Sequence, residues 1–168
     1  TPQSAETAEG SVDVAGSLVL VVLNNSNKAS VLKNTNVVGN LGVSAQNSVN
    51  VTAESDASSV MSSNGVGVAV AIVYTDIKNI AEVKGTQKAG TLTVKAVNPT
   101  AEVKNEDGTT SVVPVKNYVT IQSLAGAGAS NVGVAGSVAV NVYNEKYDAS
   151  VENAELTASG DSELTAKS

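Results

Sequence analysis

The chain has no cysteine, histidine, phenylalanine or tryptophan, and all ten of its cationic residues are lysine. Each absence removes a class of chemistry. Without His and Cys, Ser-His-Asp and Cys-His catalysis are excluded within these 168 residues, as are zinc sites built from those ligands. Lack of cysteine also suits a protein that is exported unfolded through the periplasm and a secretion pore, where a disulfide would jam passage. Aromatics make up 2% of residues, the net charge is −6, and the lysines are scattered without a basic run, which argues against nucleic acid as a partner. No signal peptide or membrane-spanning run occurs, and the chain opens at Thr1 and closes on Ser168. We therefore expect an excised piece of a longer protein, with no membrane insertion of its own.

What remains is Val, Ala, Leu and a few Ile. Branched Cβ atoms pack well on a pleated surface, so this composition points to strands. A core without large rings must be thin, regular and layered. The order in the sequence is a repeat. Val14–Val31 and Val134–Val151 align without a gap, sharing Val-Ala-Gly-Ser at the start, Val22/Val142, Asn24/Asn144 and Ala-Ser-Val at the end. A third copy runs from Val66 to Val83, placing Ala81 opposite Ala29. Fixed periods of this kind mark solenoids, in which each unit buries its apolar face by stacking on its neighbours.

The copies start at Val14, Val66 and Val134, so they are 52 and 68 residues apart. The longer interval contains an insertion of about 18 residues within Val97–Lys116, placed by the match of Asn47–Val51 to Asn117–Ile121. Asp107-Gly108 between two β-prone runs predicts a hairpin there, protruding from the side. Each copy should begin with a long apolar strand (Leu18–Leu23, Val66–Tyr74, Val132–Tyr143) and pass a polar turn such as Asn24–Asn27 or Asn144–Lys146. A short Ala-x-Val strand follows, and then one ending in apolar-x-Ala: Val43–Ala45, Val94–Ala96, Leu164–Ala166. Gly and Asn at the corners supply positive φ, and Ala at recurring inward positions suits a narrow coil. A 52-residue unit looks long enough for about two coils, or six to seven in all. Residues 1–168 then form a single β-helix fragment of a larger protein.

The run Asn131–Val142, followed by Ala149-x-Val151 and Leu164-Thr165-Ala166, resembles the repeat of leukotoxin-type filamentous adhesins, relatives of the filamentous haemagglutinins and of autotransporter passengers. The resemblance covers the chain from about Val12 to its end. It implies a right-handed parallel β-helix, type V export to the outer surface of a Gram-negative bacterium, and a role in host-cell attachment or toxicity. It offers no catalytic motif to carry over, and it says nothing of the insertion.

Sites must therefore be sought residue by residue. Glu145, Asp148 and Glu152 lie close in sequence and could supply carboxylates for glycoside hydrolysis, but solvated turn positions explain them better. Asn105-Glu106-Asp107-Gly108 lacks the alternating ligands of a calcium loop. Gly126-Ala127-Gly128-Ala129-Ser130 is half a dinucleotide fingerprint that precedes a strand, so it reads as a solenoid corner. Thr91-x-Thr93 is not repeated in register, as an ice-binding ladder would require. Asn24, Asp76 and Asn144 recur at one corner, where turn capping is expected. We expect no catalytic residue, cofactor or metal, and hence not an enzyme.

The expected function is a β-helical stalk of a secreted or surface-exposed adhesin or toxin, flanked by neighbouring repeats of its parent chain. Its partner would be a host-cell surface receptor or glycan. The contact residues expected are Glu102, Lys104, Glu106, Asp107 and Lys116, because loops on rigid scaffolds carry binding. The alternatives are a polysaccharide-acting β-helix enzyme and a cytotoxic module acting on leukocytes.

Overall fold

The computed structural model describes residues 12–168, apart from the side chains of residues 59–62. This span is all-β, with no helix among the described residues. Its strands are β1 (Asp13–Val31), β2 (Thr35–Asn36), β3 (Asn40–Gln46), β4 (Asn50–Lys84), β5 (Gln87–Ala89) and β6 (Thr91–Val97). They continue as β7 (Thr100–Lys104), β8 (Thr110–Pro114), β9 (Tyr118–Glu152), β10 (Leu156–Ala158) and β11 (Glu163–Lys167).

Three sheets each take one strand from each sequence repeat, in the orders β1-β4-β9, β2-β5-β10 and β3-β6-β11. The last two are parallel throughout. In the third, Val43 pairs with Val94 and Val94 with Leu164, while Ala45, Ala96 and Ala166 stand in line two residues on. The apolar-x-Ala motif thus fixes the register, as its recurrence predicts. The number of coils is different. In the second and third sheets every paired residue lies one repeat away, so there a repeat supplies one coil rather than about two. The length is absorbed by β4 and β9, each of 35 residues.

Those long strands also overturn the expected polar turns. Asn24–Asn27 lies inside β1 and Asn144–Lys146 inside β9. The polar side chains find partners without breaking the strand: Asn25 donates to Asn47 Oδ1 at 2.9 Å and Asn27 to the Gln46 carbonyl at 2.6 Å. Gly126–Ser130 is counted within β9, yet the chain doubles back here as a corner requires: a Cβ on Gly133 would stand 2.8 Å from the Ala127 carbonyl oxygen, where six residues of straight strand would span about 20 Å. True corners do use the expected residues, since Gly85 and Asn153 both adopt positive φ (80° and 48°).

The chain passes alternately through two compact units. Among the described residues the first comprises 12–23, 50–75 and 118–143. Its interior is built from the smallest side chains: Ala15, Ala57 and Ala69 pack together with Ala125, and Ser55 donates to Ser17 at 2.9 Å in a buried pair. Gly67 marks the tightest approach. A Cβ there would lie 2.7 Å from the Ala57 carbonyl oxygen and against that of Gly126.

The second unit comprises residues 24–49, 76–117 and 144–168. Its core gathers Val43, Ala45, Ala81, Val83, Leu92, Val94 and Ala96, with Val31, Tyr147 and Val151 closing around them. Apart from Leu92 and Tyr147, these are the Ala-x-Val and apolar-x-Ala positions of the repeat. Corners are held by side chains: buried Gln87 donates Nε2 to the carbonyls of Lys33 (2.9 Å) and Lys84 (2.8 Å), and Asn34 accepts from Thr86 N–H at 2.8 Å.

On the outer face of this unit Glu82 bridges Lys28 (2.8 Å) and Lys84 (2.5 Å), and Lys84 reaches Glu152 at 3.3 Å. The hydrogen bond from Lys28, then that from Lys84, hold the Glu82 carboxyl below its ordinary value near 4.5. Because the folded value is depressed, the contribution is fully present above about pH 4.5 and is lost as pH falls through the lower folded value. Thermal melts at neutral pH and at about pH 3 should therefore show a smaller acid loss in Glu82→Gln than in the parent chain. Equal losses would mean that the cost of taking the Glu82 carboxylate out of water, at 8% exposure, cancels what it gains from the two more exposed lysines.

Candidate functional site

All five residues expected to contact a partner are exposed, and they fall in three places. Glu102 and Lys104 lie two apart on β7, on one face of that strand. Glu106 and Asp107 are in the connection between β7 and β8, and Lys116 follows β8. Strands β7 and β8 pair antiparallel with each other, from Thr100 opposite Pro114 to Lys104 opposite Thr110. The connection is locked by its own side chains. Asn105 N–H donates to the Thr109 carbonyl at 2.8 Å, and Asn105 Nδ2 donates to Thr109 Oγ1 (2.8 Å) and Ser111 Oγ (2.6 Å).

Asp107 is already engaged. Its Oδ1 accepts from Thr109 Oγ1 at 2.6 Å and from Thr109 N–H at 2.9 Å, and these two bonds, in that order, lower its pKa. Gly108 follows at φ 82°, as the turn requires. Asp107 is thus a turn-forming residue, and the side chains of the set that carry no turn duty are Glu102, Lys104, Glu106 and Lys116.

Sequence reasoning missed what lies at the base of this segment. A groove of about 290 Å³ is lined by Lys95, Asn98, Thr100, Pro114, Thr165 and Lys167 among others. None of the five expected contact residues lines it. Lys95 pairs with Glu163 at 2.8 Å, and that bond, then one from Thr165 at 2.8 Å, holds the Glu163 carboxyl below its usual range. Next to the groove residue Asn98 is a polar cluster. Tyr147 Oη lies 2.5 Å from both Asn98 Oδ1 and Glu145 Oε1, to either of which it can donate its one proton, and accepts from Asn117 Nδ2 at 3.0 Å. Asn117 also donates to Glu145 Oε1 at 2.5 Å and accepts from Val49 N–H at 2.7 Å. The signal for this cluster was present as the Asn47/Asn117 match, but it marks only register until Tyr147 is placed beside it.

The three carboxylates weighed for glycoside hydrolysis have separate partners. Glu145 belongs to the Asn117–Tyr147 cluster, Asp148 pairs with Lys146 at 3.2 Å, and Glu152 pairs with Lys84. Asp76, expected to cap a turn, pairs with Lys78 at 2.6 Å inside β4. Among the described residues no three His, Cys, Asp or Glu gather as a metal-binding group, and no helix is long and apolar enough to cross a membrane. No family model, curated protein or solved structure matches the chain.

Proposed function

We propose that this chain is a right-handed parallel β-helix segment of a large secreted or surface-exposed bacterial adhesin or toxin, with a hairpin insertion at about residues 97–116. It acts as a stiff stalk, and its insertion offers a contact surface to a host-cell receptor or glycan. One observation carries the reading: each repeat contributes one strand to each of three sheets, in matching register in the second and third, the arrangement that lets a solenoid extend by adding repeats. The edges support it. Positions buried in β4 are exposed in β9, where residues 131–146 are open on both faces. A neighbouring repeat of a parent chain would cover the inward-facing ones among them, as terminal units of repeat proteins otherwise require a cap.

The insertion supports a contact role because it interrupts the repeat without adding to its core, and because its charges are exposed. Labelled chain should bind epithelial cells or leukocytes saturably, and deletion of residues 98–116 should abolish that binding while the β-rich circular dichroism is kept. Saturable binding that survives the deletion would move the contact surface elsewhere. No binding by the folded chain would leave it a spacer.

A further inference from the structure

The first unit turns large apolar side chains outward as well as inward. On β1 and β4 the inward positions include the small residues Ala15, Ser17, Ala69 and Ala71, all buried, beside Val19, Val21 and Val73, while residues as large as these or larger also point outward. Leu18, Leu20 and Val22 of β1, Val68 of β4, and Val138 and Val140 of β9 are each 40% to 67% exposed. Strands β1, β4 and β9 are neighbours in one sheet, so these residues form one continuous outward face. Three strands about 4.8 Å apart, over the length of Val14–Val22 at about 3.3 Å per residue, give this face a footprint of roughly 400 Å², the size of the largest and often functional patch on a typical monomer.

No charge interrupts this face. Residues 14–27, 57–75 and 117–144 contain no Lys, Asp or Glu, although the chain carries 10 cationic and 16 anionic residues. A solvated face of a half-buried sheet normally alternates apolar-in with polar-out. Here the outward positions are more hydrophobic than the inward ones, which is the pattern of a sheet buried on both sides.

We propose that this face packs against the same face of a second copy of the chain, as two sheets stacked face to face. A footprint of that size suits a contact at the small end of specific interfaces. A charge-free face also meets its own copy without like-charge repulsion, and branched side chains on two such faces interdigitate at a spacing of about 10 Å. A lipid surface is the poorer partner. The face has no lysine to meet anionic headgroups, and the chain as a whole is at −6. The pairing is independent of any host receptor and would hold stalks together side by side.

Sedimentation of the full chain at about 50 µM should show a dimer, with a Kd of about 1 µM or tighter. Leu20→Lys combined with Val140→Lys should weaken association at least about tenfold while leaving the circular dichroism and melting of the monomer unchanged, since both sites are exposed. Val22→Glu, at the other end of the β1 face, should do the same and guards against misfolding of the double variant. A parent chain that is monomeric at this concentration would overturn the proposal. So would association that persists in both variants, which would place the contact at the strand edges. Flotation of the monomer with phosphatidylcholine or phosphatidylserine vesicles would overturn it in favour of lipid.

Discussion

Gly67→Ala should lower the melting temperature by about 6–12 °C, corresponding to a loss of about 3 kcal/mol in a chain of this size. The repeat itself argues the other way. Positions matching Gly67 in the flanking copies are Ala15 and Ala135, so alanine is the consensus residue, and consensus substitutions usually stabilise. Replacing a strand glycine with alanine should also reduce the freedom of the unfolded chain. Geometry decides against both effects. The new Cβ would stand 2.7 Å from the Ala57 carbonyl oxygen and closer still to that of Gly126, and both obstacles are backbone. Relief requires moving two strands that are themselves held in ladders. Gly16→Ala is the matched control. Nothing lies within 4 Å of its Cβ, and it should change stability by no more than about 0.5 kcal/mol. Calorimetry of the two variants separates the readings: a Gly67→Ala protein as stable as the parent would mean that the first unit has room its Ala and Ser interior does not suggest.

That conflict shows where the sequence stops being informative. Recurrence of Ala-x-Val and apolar-x-Ala carries register, because stacked repeats need identical residues at identical heights, and both sets meet in the core of the second unit. Composition carries strand content, through β-branched residues and the near absence of rings. Polar residues mislead. Asn25 and Asn27 read as a turn because Asn usually caps one, yet inside β1 they reach across to Asn47 and Gln46, and only three-dimensional neighbours reveal that. Coil length was misjudged for a related reason: with no break at Asn24 or Asn144, strands run to a length that strand statistics would not favour. The candidate contact residues were legible as an exposed charged insertion. The groove and the Asn98–Asn117–Tyr147 cluster beside it were not, since the groove joins residues from three repeats and the cluster residues from two.

Val94→Asp should leave the chain unable to fold cooperatively, whereas Leu164→Asp should cost less than about 0.5 kcal/mol. The two positions are equivalent in the repeat and paired in the β3-β6-β11 ladder. Their surroundings differ by rung. Val94 is 1% exposed, with Val43 (5%) on the rung before it, while Leu164 on the final rung is 56% exposed. An unpaired carboxylate at Val94 would be taken out of water among Ala45, Val83 and Leu92, with no cation in that cluster to offset it. The penalty of at least about 4 kcal/mol is a large share of the roughly 5–15 kcal/mol that stabilises a typical domain. At Leu164 the same carboxylate remains hydrated. Urea unfolding followed by circular dichroism measures both. Should a further repeat be fused after Ser168, continuing the β3-β6-β11 ladder, the tolerance at Leu164 should disappear, because that side chain would then occupy the environment of Val94. Equal tolerance before and after fusion would mean that the final rung is already the natural end of the stack and that no neighbour covers it.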